Sequence, residues 1–283
     1  MQFECLEDNN ESAENRCIEV FPRNIRKKTL EDTIEKQLEV YDYEGAYRSC
    51  KDVGELIDKE VTYMIKNMNN RSKLQLNHVD KKYLPIESSD VKAMFEYILV
   101  LQIKQKRHEL MEFTRAISPI IADLYEECLK NIFNVDIHKY CTKKVNPRTK
   151  VSILNLDRDK LEPDVLKFYD ECFGGDFRTT ALCANNMLPY IEYLSANNNK
   201  DVYKHALRLR EFEEAFRNTA AHEIITVTDD QIERKIGVNS EQLLNSIKKL
   251  FEIAEGKKYS KNINWNSYDE INELIMSKLK EKL

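Results

Sequence analysis

Residues 202–224, VYKHALRLREFEEAFRNTAAHEI, carry Ala206, Leu209, Phe212, Ala215 and Phe216 at three- and four-residue intervals. That period paints one face of an α-helix, and a helix so painted must find an apolar surface to cover it. The same rhythm recurs elsewhere. Leu30, Ile34, Leu38 and Tyr41 form one stripe, and Val53, Leu56, Ile57, Val61, Met64 and Ile65 form another. Ser89 or Asp90 caps a long helix through Tyr97 and Leu101 to Phe113, and a further helix runs through Ile120, Leu124, Tyr125 and Leu129. Only six glycines and six prolines punctuate the 283 residues, too few for many strands and long loops. The pattern predicts a mostly α-helical chain, and its 42% hydrophobic content is enough for a substantial core.

Two regions break the rhythm. Residues 1–28 hold an acidic turn between two short strand-like runs and then a basic tail, which reads as a β-hairpin extension or as the remnant of a preceding sheet domain. The helical domain is expected to fill 29–283. Within it, residues 134–163 contain a basic loop, Lys143, Lys144, Arg148 and Lys150, followed by the strand-like VSILNL. Those charges are either a solvated loop or a contact for an RNA backbone. GGDF, 174–177, lacks the further glycine spacing of a phosphate loop and reads as a turn. Towards the C-terminus, Thr228 with Gln231, Asn239 with Gln242 and Ser267 with Glu270 have capping-box spacing. They predict helices starting near 229, 240 and 268, with Gly237 and Gly256 as stops.

Net charge is −5, so any grip on a polyanion must come from a local basic patch. The seven cysteines show no Cys-x-x-Cys pair and no zinc spacing with the five histidines, and no stretch reads as a signal peptide. Free, mostly buried thiols in the cytoplasm are expected. The longest apolar run, YILVLQI at 97–103, is far short of a membrane span. No acidic pair combines with a histidine into a metal motif, and DRDKLEPD lacks the glycine and spacing of a calcium loop.

The first helix described ends in Arg217, Asn218 and His222. Five residues of α-helix turn the direction by about 500°, so positions 217 and 222 stand about 140° apart, while 218 and 222 share a face. One helix does not aim Arg and His at one point. Two copies crossing near a two-fold axis can, and Ala220 and Ala221 leave room for the approach. The chemistry open to such a set is RNA cleavage. His222, with an ordinary pKa near 6.5, can take a proton from a 2′-hydroxyl or return one to the 5′-oxygen leaving group. Arg217 offers a planar, permanent cation to the charged phosphorane, and Asn218 can bond a phosphate oxygen or hold the imidazole. RNA brings its own nucleophile, so no metal is demanded. The plainer account pairs Arg217 with Glu213 one turn earlier and lets terminal helix carbonyls stabilise His222.

RNTAAH resembles the Arg-x-x-x-x-His motif of the HEPN ribonucleases, including a polar residue directly after the arginine. The wider text resembles the helical effector domain of the type III CRISPR-associated ribonucleases, in LEVYDYEGAY (38–47), EEAFRNTAAHE (213–223) and WNSYDEINELI (265–275). The likeness covers roughly 29–283. It implies a HEPN-type helical bundle with extra helices, catalysis by Arg217 and His222 with Asn218 beside them, and metal-independent cutting of single-stranded RNA at a composite homodimer site. It also implies activation by a cyclic oligoadenylate bound at a preceding CARF domain. Residues 1–28 leave no room for a whole CARF domain, so they are expected to be its last strands and linker, and the activator site is expected to lie outside this chain.

Lys204, Arg208 and Arg210 on the motif's own helix are a candidate RNA groove, diluted by Glu211, Glu213 and Glu214. His78, His108, His138 and His205 have weaker claims to catalysis than to surface or core-edge duty. Two rival classes remain. DDQIERKIGVNSEQLLNSIKKLF, 229–251, has the outline of a helix-turn-helix whose reader would present Ser240, Gln242, Asn245 and Ser246 to DNA. Its only basic residues there are Lys248 and Lys249, so no stable DNA partner is expected. An inactive HEPN-like interaction module would ordinarily have lost the Arg or the His, and both are present.

Overall fold

A computed structural model describes residues 10–52, 56–145, 148, 150–222 and 226–280; the side chains of 10–24, 52, 89–90 and 217–222 lie outside that description. Eleven α-helices and a three-stranded antiparallel sheet account for most of the described residues, in keeping with the mostly α-helical expectation. The chain divides into two compact units. One combines the segment up to Pro85 with the segment from Asn264, and the other is Ile86–Ile263.

The first unit contains α1 (Asn10–Glu39), α2 (Tyr43–Asp52), α3 (Lys59–Ser72) and the C-terminal α11 (Ser267–Lys280). Helix α1 corrects the strand-like reading of the N-terminal stretch: residues 10–28 are helical, and 1–9 lie outside the described residues. The segment has no strict alternation, and it runs without a break into the helical stripe of Leu30, Ile34 and Leu38, all buried. On α3, Val61, Met64, Ile65 and Met68 form the matching buried face.

Polar bonds lock α11 onto this layer. Asn272 accepts from the Tyr43 hydroxyl at 2.9 Å and donates to the Leu38 carbonyl at 3.0 Å, while Tyr41 donates to Asp269 at 2.5 Å. Arg71, fully buried, donates to Ser267 Oγ at 2.7 Å and lies 4.2 Å over the Tyr268 ring. Ser267 is therefore the first helical residue and an acceptor for Arg71, not the expected cap.

The second unit is built around α5 (Leu110–Asn131). Ile117, Ile121, Leu124, Tyr125 and Cys128 on it are entirely buried. Helices α4 (Ser89–Lys106), α7 (Ala184–Ser195), α8 (Lys200–His222) and α10 (Ser240–Tyr259) pack against α5, and α9 (Asp229–Ile236) packs on α8. Tyr125 donates to the Ala206 carbonyl on α8 at 2.6 Å, Tyr97 on α4 donates to the Ala116 carbonyl on α5 at 2.6 Å, and Phe95 meets Phe251 at 5.6 Å. The expected single helix to Phe113 instead breaks at 107–109, where His108 takes a left-handed conformation (φ 55°) and α5 begins anew. Helix α4 starts at Ser89, so Ser88 stands at the cap position.

Strands β1 (Cys141–Val145), β2 (Ser152–Leu156) and β3 (Thr180–Ala181) form the sheet, with α6 (Pro163–Cys172) between the last two. Lys143 and Lys144 thus stand on a strand, opposite Leu154 and Ile153, where a loop was expected. The capping boxes at Thr228–Gln231 and Asn239–Gln242 are both formed, and Gly237 closes α9 at φ 71°. Gly256 does not stop α10. The helix runs on to Tyr259 because Phe251, Ala254 and Glu255 are held by packing, which outweighs a single glycine's propensity cost of about 1 kcal/mol.

Gly45, inside α2, is a glycine for steric reasons. Its N–H donates to Asp42 Oδ1 at 2.9 Å, and a Cβ there would overlap that carboxylate and approach Gln37 Nε2 to 2.9 Å. Gly-to-Ala in a helix ordinarily stabilises by about 1 kcal/mol. Here Gly45→Ala is expected to lower stability by about 1–2 kcal/mol through loss of the cap and overpacking. Urea unfolding measures it, and a gain in stability would show that Asp42 moves aside freely.

Candidate active site on helix α8

Helix α8 forms because one stripe, Val202, Ala206, Leu209, Phe212 and Phe216, is buried along most of its length. Phe212 and Phe216 stack at 5.0 Å just before the motif. The backbone stays helical through His222, so positions 217, 218 and 222 occupy the last two turns. On that backbone 217 and 222 stand about 140° apart and 218 and 222 share a face. The side chains of Arg217, Asn218 and His222 lie outside the described residues.

The sequence reading missed a cation beside this end of the helix. Lys235 on α9 donates from Nζ to the Ala215 carbonyl at 3.3 Å and lies 4.6 Å over the Phe216 ring. It stabilises the turn that leads into Arg217. The Thr228 capping box announced α9, but spacing alone gave no sign that α9 folds back along α8.

The other basic residues separate into different roles. Lys204 is exposed, and Arg208, one turn on and on the same face, donates to Ser246 Oγ at 3.3 Å. Arg210 points elsewhere: its guanidinium binds Glu213, Glu214 at 3.0 Å and Asn185 at 3.3 Å, and its side chain is only 13% exposed. Two carboxylates thus balance the charge of Arg210 inside the protein. Lys143, Lys144 and Arg148 are exposed along the β1–β2 hairpin, where Val145, Val151 and Ile153 are exposed as well.

His205 is held below the usual imidazole range, chiefly by burial and then by the charges of Arg208 and Lys204. Its Nδ1 is buried without a hydrogen-bond partner among the described residues. It is a neutral core-edge group. His138 contacts Glu126 on α5 at 2.7 Å.

The DNA-reading alternative fails on burial. Ser240 and Ser246, two of its four reader positions, are 1% and 0% exposed, because α10 packs its face onto α4, α5 and α8. Side chains in a core cannot reach base edges. No group of three or more His, Cys, Asp or Glu side chains suited to a metal occurs among the described residues, and no helix there is long and apolar enough to cross a membrane.

The chain belongs to the Cas_Csm6 HEPN domain family, whose model matches residues 83–276. It is 23% identical over 246 residues to the Mycobacterium tuberculosis (strain ATCC 25618 / H37Rv) protein named CRISPR system endoribonuclease Csm6, covering 86% of this chain and 56% of that protein. Its fold matches a structure of Enterococcus italicus Csm6 bound to cyclic hexa-2′-fluoro-hexa-dAMP, with a TM-score of 0.68 at 14% identity, over 90% of this chain and 58% of that one. The chain therefore spans somewhat more than half the length of these relatives. The HEPN resemblance seen in RNTAAH is borne out at the level of family and fold.

One buried carboxyl in this unit is shifted far from its ordinary range. Glu255 on α10 is 4% exposed, and Asn131 Nδ2 donates to its Oε1 at 2.7 Å and to Glu127 Oε2 at 2.9 Å. Burial first, then the hydrogen bond and charge of Glu127, push the Glu255 carboxyl up to about 7, against the opposing pull of Lys258 and Lys130. The folded protein thus holds a proton that the unfolded chain releases near pH 4.5. This contribution to stability is complete below that pH and lost as pH rises through about 7. Glu255→Gln is expected to raise the melting temperature relative to the parent progressively between pH 5 and 8. A difference that stays constant over that window would show that the carboxyl is ionised in the fold throughout.

Proposed function

We propose that this chain is the cutting domain of a metal-independent endoribonuclease of type III CRISPR defence, acting on single-stranded RNA. The observation that carries the reading is an intact Arg217-x-x-x-x-His222 at the end of α8 in a chain of the Cas_Csm6 HEPN family. The name of the Mycobacterium tuberculosis relative, an endoribonuclease, supports it. Residues 29–283 are the proposed nuclease domain.

In this mechanism His222 removes the proton of a 2′-hydroxyl, and the freed oxygen attacks the adjacent phosphorus. The P–O5′ bond breaks as the 5′-oxygen is protonated, leaving a 2′,3′-cyclic phosphate and a 5′-hydroxyl. Arg217 balances the extra charge of the phosphorane, and Asn218 holds a phosphate oxygen or the imidazole. Because 217 and 222 diverge by about 140° on one helix, the working site joins two copies of α8 across a homodimer. Lys204 and Arg208, with Lys143, Lys144 and Arg148 on the hairpin, are the proposed RNA contacts. Arg210 braces the helix beneath them.

A cyclic oligoadenylate is the proposed activator, consistent with the cyclic hexanucleotide analogue bound to the Enterococcus italicus protein. The reading includes no DNA partner and no membrane, and its proposed setting is the cytoplasm.

The test is cleavage of an end-labelled single-stranded RNA by the purified chain in excess EDTA, beside Arg217→Ala and His222→Ala. The parent should cut, and each variant should lose roughly 10²–10⁴-fold in rate with unchanged dimer and helical content. Mass spectrometry should find cyclic-phosphate ends. Ends bearing a 3′-hydroxyl would sink the mechanism, and unfolding of either variant would support the helix-end account instead.

A further inference from the structure

The second helical pair of the first unit carries a basic pocket that the nuclease motif does not use. Tyr47 and Lys51 on α2, with Lys59, Thr62, Tyr63 and Lys66 on α3, line a surface cavity of about 370 Å³. Lys59, Tyr63 and Lys66 follow one another at helical spacing on the solvent face of α3, opposite the buried Val61, Met64, Ile65 and Met68. Lys59 and Lys66 are about 10 Å apart along the axis.

We infer that this pocket binds single-stranded RNA, with phosphates on Lys51, Lys59 and Lys66 and a base stacked against Tyr63. Three observations converge on it. The three lysines are exposed, and none pairs with a carboxylate among the described side chains. The described carboxylates of these helices and of the α3 cap are engaged elsewhere: Glu60 by Lys278 at 3.1 Å, Glu44 by Arg48 and by Lys73 at 2.9 Å, and Asp58 by the N–H of Glu60 at 2.7 Å. In a chain of net charge −5, three cations around one cavity, with no carboxylate partner among the described side chains, form a local field that attracts a polyanion.

The aromatic residues select the kind of polyanion. Tyr63 is 45% exposed, and its hydroxyl is tethered to Asp80 at 3.4 Å, which limits the ring's freedom. Lys51 lies 4.5 Å over the Tyr47 ring and Lys82 lies 5.8 Å from the centre of the Tyr63 ring. A cationic track with rings at its side is the arrangement that holds single strands without reading sequence, since every base has a face to stack. An acidic peptide would use the lysines and leave the rings idle.

The choice of RNA rests on the ribonuclease reading; the pocket itself does not. It gives the enzyme a holding site for substrate on a unit that lacks the catalytic motif, so that long RNA gains affinity that a short fragment does not.

The experiment is fluorescence anisotropy of the full chain with a labelled, fully 2′-O-methylated single-stranded RNA of 20 nucleotides, which cannot be cut by 2′-hydroxyl attack. Lys51→Glu/Lys59→Glu/Lys66→Glu should weaken binding at least tenfold and flatten the plot of log affinity against log salt by about two, near 0.7 for each phosphate contact. Tyr63→Ala should weaken binding roughly tenfold and leave the salt slope unchanged. Charge reversal at Lys36 and Lys261 is the control, with circular dichroism on the same samples. Equal weakening by the control, or a triple variant that binds like the parent, would overturn the proposal. So would an oligoglutamate of matched charge binding as tightly as the RNA with indifference to Tyr63→Ala. Because the probe cannot be cleaved, loss of cutting with intact binding counts against the nuclease reading alone.

Discussion

A buried phenol sets the geometry of helix α8. Tyr125 lies in the middle of α5 with no exposure, and its hydroxyl reaches one acceptor, the Ala206 carbonyl on α8, at 2.6 Å. Burial pushes the phenol far above its ordinary pKa, so it stays a donor at every pH the protein meets. A buried hydroxyl without a partner costs about 1–3 kcal/mol, and the bond therefore fixes the register in which α8 can lie on α5. Alanine at 206 keeps the two helices close enough for that bond. With α7 and α10 on its other sides, α8 has little freedom to roll or slide. The direction of its last two turns follows from the core beneath it.

That dependence explains what could be read from the sequence. The period of Ala206, Leu209, Phe212 and Phe216 is written in consecutive residues, so helix α8 was legible, as were α9 and α10 from their capping boxes and Gly237. What escaped were features decided by distant neighbours. Gly256 reads as a stop, yet packing of Phe251 and Ala254 carries α10 past it. Ser267 reads as a cap, yet it serves a buried arginine 196 residues earlier in the chain. The N-terminal stretch has no clear period of either kind, which is why a strand-like reading was open there until the helix replaced it. Of the candidate site, the Arg and His positions were legible because their motif is local. The Lys235 contact was not, because it depends on how α9 folds back.

Two of the three segments that carry the family likeness, LEVYDYEGAY and WNSYDEINELI, meet in the first unit. Tyr41 and Tyr43 bind Asp269 and Asn272 there, and Tyr43 packs on Tyr268 at 5.8 Å. Their resemblance is thus explained by a structural junction and not by chemistry. In the third segment, around Arg217 and His222, the described contacts are those of Phe216, buried and stacked on Phe212 at 5.0 Å, and of Glu213, which binds Arg210.

Charge follows the same division of labour. A net of −5 conceals an uneven arrangement in which cations near carboxylates are spent on structure and others are not. Arg210 sits on the motif's own helix and would be the first choice for an RNA contact on proximity alone. Glu213 and Glu214 take its guanidinium, and an arginine balanced by two carboxylates presents little field to a phosphate. Lys51, Lys59 and Lys66 belong to the unit without the motif, yet they have no carboxylate partner among the described side chains at a surface flanked by tyrosines. Proximity in sequence to the Arg217 and His222 motif is therefore a poor guide to which cations are left without a carboxylate. The state of each one's nearest carboxylate is the better criterion, and by that criterion the solvent face of α3 carries lysines with no carboxylate partner among the described side chains.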